Sequence, residues 1–324
     1  MDVSDVLGRL RCMAKEKPCT IILPEMEDER MQKASEIIER EGIANLIKLS
    51  KDNLDPEKVE QYTEKFYEMR KHKGISLEAA RAYMENPLFY AAMEVREGNA
   101  DGFVAGAVNT TADVVRAVLY CIGLAPGARV ICGAFLMVVP DCPYGENGVL
   151  VFADCGVVPN PNEKQLAHIG ISASRLAKEV LGVEPRVAFL SYSSKGSAEG
   201  PEIDKVRKAV SIAKDIAPDI LMDGELQVDA ALVPEVAQHK IKDSPVAGKA
   251  NVLIFPDLEA GNISYKLVER LAKARALGPI ILGGNRPCSD LSRGCSVDDI
   301  VDCVAITVIR ANRWDNGKKE DKKE

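Results

Sequence analysis

The sequence predicts an α/β fold with mostly parallel strands, and three observations carry that expectation. Short apolar runs bounded by turn residues alternate with amphipathic stretches of helical period. Hydrophobic residues fill 46% of the 324 positions and aromatics only 5%, so Ala, Val, Ile and Leu dominate the core, as suits helices packed on a parallel sheet. The longest apolar run, 131–139, is broken by Gly133 and stopped by Pro140; it falls far short of the ~18 residues of a membrane span and reads as a buried strand.

Taken in order, residues 3–14 read as a helix and CTIILPE as a strand. EDERMQKASEIIEREGI has helical period, with Met31, Ala34, Ile37 and Ile38 on one face and Gly42 as C-cap. IANLIKLS is a second strand, which makes the opening β-α-β, and 56–98 is mostly helical. DGFVAGAV is a strand that runs into a loop and helix at NTTADVVRAVLYCIG. Two strands joined by a Pro- and Gly-containing turn follow between residues 125 and 156. Residues 172–181 read as helix, RVAFLSYSS as strand and PEIDKVRKAVSIAKDI as amphipathic helix. NVLIFPD and GPIILGG are buried strands with the helix YKLVERLAKARALG between them. A last helix spans about 297–311, and NRWDNGKKEDKKE reads as a solvated, disordered charge run.

Composition excludes several functions. A net charge of −7 argues against a sequence-independent nucleic-acid binder, which needs a basic surface to release counterions. It leaves room for anionic substrates in a locally basic site. Nine cysteines without a C-x-x-C pair, and three widely spaced histidines (His72, His168 and His239), lead us to expect reduced thiols, no metal and a cytoplasmic setting. Most of the thiols are expected to be small buried hydrophobes. No G-x-G-x-x-G follows a predicted strand, and G-x-S-x-G is absent. DSPVAGKA misses the phosphate-loop pattern, with Asp243 in place of its first glycine and Ala250 in place of its Ser/Thr.

The most informative segment is GGNRPCSDLSRGCSVDDIVDCVAITVIRAN. A loop containing Pro287 leads through Ser292-Arg293-Gly294 to a helix start, where Ser296-x-x-Asp299 is a capping-box pattern. A polar loop feeding a helix can bind an anion, and an arginine adds a two-pronged donor suited to phosphate. The same spacing also fits a purely structural role, with Asp299 capping its own helix and Arg293 in an ion pair.

Together with this segment, GELQVDAALVPEVA, SPVAGKANVLIFPDLEAGNISYKLVERLAKARALGPI, FYEMRKHKGIS, ADGFVAGAVNTTADVVR, VFADCGVVPNP and RVAFLSYSSKGSAEGPE resemble the phosphate acetyltransferases, in order from about residue 20 to 311. The resemblance implies transfer of an acetyl group between acetyl phosphate and the thiol of coenzyme A. It places the family's active-site serine and arginine on Ser292 and Arg293 and its proposed base on Asp299. Two coenzyme A-binding arginines fall on Arg70 and Arg116, and acyl-phosphate contacts on Thr110 and Thr111. Cys142 and Cys295 match cysteines that neighbour the site without acting as nucleophiles.

The resemblance further implies two α/β domains of the isocitrate and isopropylmalate dehydrogenase type with the site in the cleft between them. Residues 1–129 with 285–324 would form one and 130–284 the other. It implies a homodimer that uses coenzyme A as substrate and needs no cofactor. Three departures touch fine acyl specificity: a shortened stretch between Ser50 and Pro56, Ala117 after Arg116, and Arg286 before Pro287. A phosphate butyryl- or propionyltransferase, a dehydrogenase, and an acetyl phosphate sensor without turnover are the rival readings.

Overall fold

The computed structural model describes residues 3–241 and 243–320. The chain divides into two compact units, here termed terminal (Arg9–Pro126 with Gly284–Glu324) and central (Gly127–Gly283 with Met1–Gly8). Most strand pairs are parallel, as the alternation of elements predicts.

The chain enters through helix α1 (Val3–Glu16), strand β1 (Thr20–Leu23), α2 (Glu29–Glu41) and β2 (Asn45–Lys48). Asp28 caps α2 by accepting from the Arg30 N–H, and Gly42 ends it with φ +70°, where a residue with a Cβ would be strained. Met31, Ala34 and Ile38 are buried on the expected face. Helices α3 (Pro56–Arg70), α4 (Leu77–Met84) and α5 (Pro87–Glu97) follow; α3 and α5 each start with proline behind an Asp or Asn cap. Then come β3 (Gly102–Ala105), α6 (Thr111–Ala117) and a π-helical turn at Val118–Ile122.

The central unit holds β4 (Cys132–Val138), the short α7 (Tyr144–Asn147), β5 (Val149–Ala153), α8 (Glu163–Leu176), β6 (Arg186–Leu190), α9 (Pro201–Ile216) and β7 (Leu221–Leu226). It continues with α10 (Val228–Leu232), α11 (Pro234–Lys240), β8 (Val252–Ile254), α12 (Leu258–Leu271) and β9 (Arg275–Leu282). The strand order is β9-β4-β5-β8-β6-β7, with β4 antiparallel to both neighbours and the other pairs parallel. Strands β4 and β5 are buried at every residue, as strands covered on both faces must be. Phe135 stacks on Tyr265 at 4.1 Å within an apolar cluster that also takes in Phe152 and Phe255.

The chain returns to the terminal unit through β10 (Cys288–Asp290) and α13 (Val297–Glu320). Here β1 pairs with β2 and β3, and β10 pairs with β3, all parallel, in the order β2-β1-β3-β10. Arg11 on α1 reaches Asp298 and Asp302 of α13 at 3.0 and 2.6 Å.

Several elements differ from the sequence expectation. The helix expected at 172–181 begins at Glu163, where Asn162 and Gln165 form a reciprocal capping box, and ends in a π-helical turn, Ala177–Leu181. The helix expected at YKLVERLAKARALG starts earlier, at Leu258 behind the cap Asp257, and yields its last residues to β9. Strands β7 and β10 were not expected. LMDGEL carries Asp223 and Glu225, yet both are buried and partnered, so the pattern of burial is not the pattern of apolarity. CSD is too short to show a period. Helix α13 runs nine residues past the expected end; of the expected disordered tail, residues 321–324 lie outside the described residues.

Glu225 illustrates how a charge survives inside a strand. Burial opposes its ionisation, but Arg207, the Gly196 N–H and the Ser193 hydroxyl outweigh that and hold its pKa at about 2. A depressed carboxylate adds stability that is full above its unfolded pKa and lost as pH falls through its folded one. Glu225→Gln is therefore expected to lower the urea midpoint at pH 7 and to lose Glu225's share of the acid destabilisation between about 4.5 and 2, read from urea midpoints across that range.

Candidate active site

Three segments of the terminal unit converge at the carboxyl ends of β1, β3 and β10. The first carries Glu25, just beyond β1. Its carboxylate, 2% exposed, accepts the backbone N–H groups of Gly106 and Ala107 on Oε2 (2.9 and 2.8 Å) and those of Val108 and Asn109 on Oε1 (3.2 and 2.8 Å). The Asn109 amide adds a donor at 2.7 Å. One carboxylate thus gathers four consecutive N–H groups that no strand or helix satisfies, and fixes the loop after β3.

The second segment is that loop and the start of α6. Thr110 caps the helix, accepting from the Asp113 N–H and donating to its carboxylate at 2.7 Å. Thr111 donates to Asp290 Oδ2 at 2.5 Å. Gly106 has φ +107°, and a Cβ there would stand 2.1 Å from Asp290 Oδ1, so only glycine lets the loop cross the end of β10.

The third segment is the loop from β10 to α13. Ser292 and Arg293 are exposed, and Ser292 Oγ accepts the Gly294 N–H at 3.3 Å. Asp299 caps α13 reciprocally: its Oδ2 accepts from the Ser296 N–H and hydroxyl at 2.8 Å each, and its N–H donates to Ser296 Oγ at 3.2 Å. The structural reading of the capping box therefore holds. The ion pair considered for Arg293 does not form among the described residues, which leaves its guanidinium able to meet an outside anion.

Arg30 joins these segments, and sequence reasoning missed it. Its Nη1 donates to the carbonyls of Arg293 (2.8 Å) and Cys295 (3.1 Å), its Nη2 donates to the carbonyl of Ala107 (2.9 Å), and Asp28 holds the same guanidinium. The loop bearing Ser292 and Arg293 is thereby fastened to the loop that delivers Thr110 and Thr111. Nothing in EDERM distinguishes Arg30 from a surface residue of an amphipathic helix.

The two remaining arginines stand along α3 and α6. Arg116 pairs with Asp113 at 2.5 Å. Arg70, at the end of α3, lies over the ring of Tyr120 at 3.9 Å, where Tyr120 belongs to the π-helical turn that prolongs α6. Phe66 and Tyr83 complete the aromatic wall under Arg70. Its charge has a ring face and, among the described residues, no carboxylate partner.

Most of the cysteines behave as expected of core residues: seven are buried, and none of the nine forms a disulfide among the described residues. Cys295 is 7% exposed; burial pushes its thiol up to about 11 despite nearby Arg30, so it is no thiolate nucleophile near neutral pH. Cys142 lies in the central unit, between β4 and α7, and is half-buried. Asp290, like Glu25, is a further residue that sequence reasoning passed over. It is fully buried at the end of β10, and desolvation, with Glu25 adding repulsion, pushes its carboxyl up to about 7. No helix among the described residues is long and apolar enough to cross a membrane.

Replacing Glu25 with Gln is expected to set an amide N–H₂ against backbone donors and to destabilise the protein by about 3 kcal/mol. The amides of residues 106–109 should lose hydrogen-exchange protection before the rest of the unit does.

Comparison with known proteins gives concordant results. The sequence profile described as "Phosphate acetyl/butaryl transferase" matches residues 5–308. A protein of Thermoanaerobacterium thermosaccharolyticum named phosphate acetyltransferase is 50% identical over 317 residues, covering 92% of this chain and 97% of that one. One of the same name from Acetivibrio thermocellus is 51% identical over 317 residues, covering 92% and 96%. Among solved structures, a phosphotransacetylase of Streptococcus pyogenes superposes with a TM-score of 0.89 at 38% identity, covering 97% of this chain and all of that one. The EutD phosphotransacetylase of Staphylococcus aureus gives 0.82 at 35% identity, covering 95% and 98%.

Proposed function

The chain belongs to the phosphate acetyl/butyryl transferase family, and on that premise we propose how its terminal unit works. The protein is an acyltransferase that interconverts acetyl-CoA and phosphate with acetyl phosphate and coenzyme A. The observation that carries the residue assignment is the Arg30 junction. It puts two threonine hydroxyls, one serine hydroxyl and an arginine without a carboxylate partner on two loops fixed to each other.

The thiol of coenzyme A attacks the carbonyl carbon of acetyl phosphate directly in a ternary complex. The S–C bond forms, the bond from carbon to the phosphoryl oxygen breaks, and inorganic phosphate leaves while Asp299 takes the thiol proton. Arg293 holds the phosphoryl oxygens, and Ser292 donates to the developing oxyanion. Thr110 and Thr111 line the acyl-phosphate side. Arg70 and Arg116 hold phosphates of coenzyme A, converting remote binding into orientation of the thiol. The wall of Phe66, Tyr83 and Tyr120 supports this role for Arg70, because a cation resting on rings keeps its N–H groups for an anion.

An ordinary aspartate is about 4.6 units more acidic than a thiol, so complete proton transfer ahead of attack would cost ~6 kcal/mol. Transfer in concert with S–C bond formation avoids a free thiolate. The hydrogen bonds from Ser296 to Oδ2 suit that role by fixing the carboxylate's orientation. The reading calls for no cofactor, and it takes the protein to be a cytoplasmic homodimer.

The first test is thioester formation from coenzyme A with acetyl phosphate, run beside butyryl phosphate. Fast turnover with acetyl and little with butyryl is expected; the reverse preference would overturn the acyl assignment, and inactivity with both the reading as a whole. Asp299→Asn is expected to cut turnover about 100-fold or more while leaving coenzyme A affinity, measured by calorimetry, within a few-fold. Near-normal turnover would remove Asp299 as the base.

A further inference from the structure

The carboxyl of Asp290 has no part in the chemistry above, yet it is the least exposed acid among the described residues of the terminal unit. It is fully buried, and Thr111 Oγ1 stands 2.5 Å from its Oδ2. Its Oδ1 finds no hydrogen-bond partner of acceptable geometry among the described residues; it lies against Gly106, where even a Cβ would meet it at 2.1 Å. Among the described residues, no cation answers it. Arg30 is spent on Asp28 and three carbonyls, and Arg310 of α13 donates to the Cys288 carbonyl. The charged group that acts on Asp290 is Glu25, of like sign, and the Leu291 N–H only partly offsets the loss of water.

A carboxyl and a hydroxyl at this distance share one bond whose direction depends on the proton count. When the acid is ionised, Thr111 must donate to it, and its oxygen can then only accept from a ligand. When the acid is protonated, it can donate to Thr111, and the threonine hydrogen is released to point elsewhere. An anionic oxygen needs a donor and is repelled by a carboxylate behind that donor.

We propose that Asp290 is a positioning residue that, in its protonated form, donates to Thr111 Oγ1 and turns the Thr111 hydroxyl hydrogen onto a phosphoryl oxygen of the substrate. This rests on the reading that Thr111 lines the acyl-phosphate site. Binding of a tetrahedral anion then requires the proton on Asp290. The rise of its pKa to about 7 puts the loss of that proton within the working range. Sign follows directly: anion affinity is full below that pKa and declines above it, by up to about tenfold per pH unit.

The test uses sulfate, a tetrahedral anion whose charge does not change between pH 6 and 9. Its inhibition constant against acetyl phosphate and its direct binding by calorimetry are both measured across that range. Wild-type affinity is expected to hold near pH 6 and to fall about tenfold between pH 8 and 9. In Asp290→Asn the amide N–H₂ replaces the acid proton toward Thr111 and the carbonyl faces Leu291, so the dependence on pH should vanish. Thr111→Ser should keep the dependence, and Thr111→Val should bind sulfate at least tenfold more weakly at pH 6 with a flat profile. A flat wild-type profile, an unchanged slope in Asp290→Asn, or no sulfate binding to the wild type would each overturn the proposal. If Asp290→Asn does not fold, the threonine pair decides: equal slopes in Thr111→Ser and Thr111→Val overturn it. Calorimetry separates this outcome from failure of the functional reading, which shows only in thioester formation.

Discussion

Buried carboxylates at the carboxyl ends of strands organise the loops of this protein, and the candidate site depends on them. A loop that turns over the end of a strand leaves backbone N–H groups without partners, and those groups cannot be left dry. In the terminal unit Glu25 collects four of them from residues 106–109. In the central unit Asp154, at the end of β5, does the same for Gly133, Gly156, Val157 and Val158. Glu225 at the end of β7 takes the Gly196 N–H and the Ser193 hydroxyl. Each acid exchanges its hydration for several donors at once, which is how a charge is tolerated at 2% exposure.

The acids differ in what they are given, and their protonation follows. Glu225 has an arginine as well as N–H donors and stays strongly acidic. Asp154 has four N–H donors and, among the described residues, no cation paired with it; burial wins and its pKa rises. Asp290 has one hydroxyl, a nearby Leu291 N–H and a neighbouring negative charge, and its carboxyl rises to about 7. Compensation, not burial alone, decides whether a buried acid serves as a fixed anion or as a proton store.

The cations are distributed in a complementary way. On a chain of net charge −7, arginines gathered locally can still make a basic site, which is where the proposed reaction puts the phosphates. Arg30 is fully engaged and works as a clasp between two loops, whereas Arg70 rests on an aromatic face and Arg293 stays exposed without a carboxylate. A saturated guanidinium builds the site, and an unsaturated one remains available to a ligand.

Much of the fold was legible because it rests on local signals. Helical period with glycine at the helix end, and apolar runs bounded by turn residues, mark α2, β4 and β5 from their own residues. The loop of Ser292 and Arg293 was legible through a motif, and its capping box by spacing. Strand β7 was not, because Asp223 and Glu225 are buried by partners that lie elsewhere in the chain. Nor were Arg30, Glu25 and Asp290. Their partners on other loops are 77 to 265 residues away in sequence, and no local pattern separates them from surface charges. The sequence by itself determined the α/β class and the family resemblance, and it supplied the residues that the proposed reaction assigns to the substrate. Only the tertiary structure decided which side chains hold those residues in place, since a hydrogen bond between distant loops exists only once the sheet has brought the ends of its strands together.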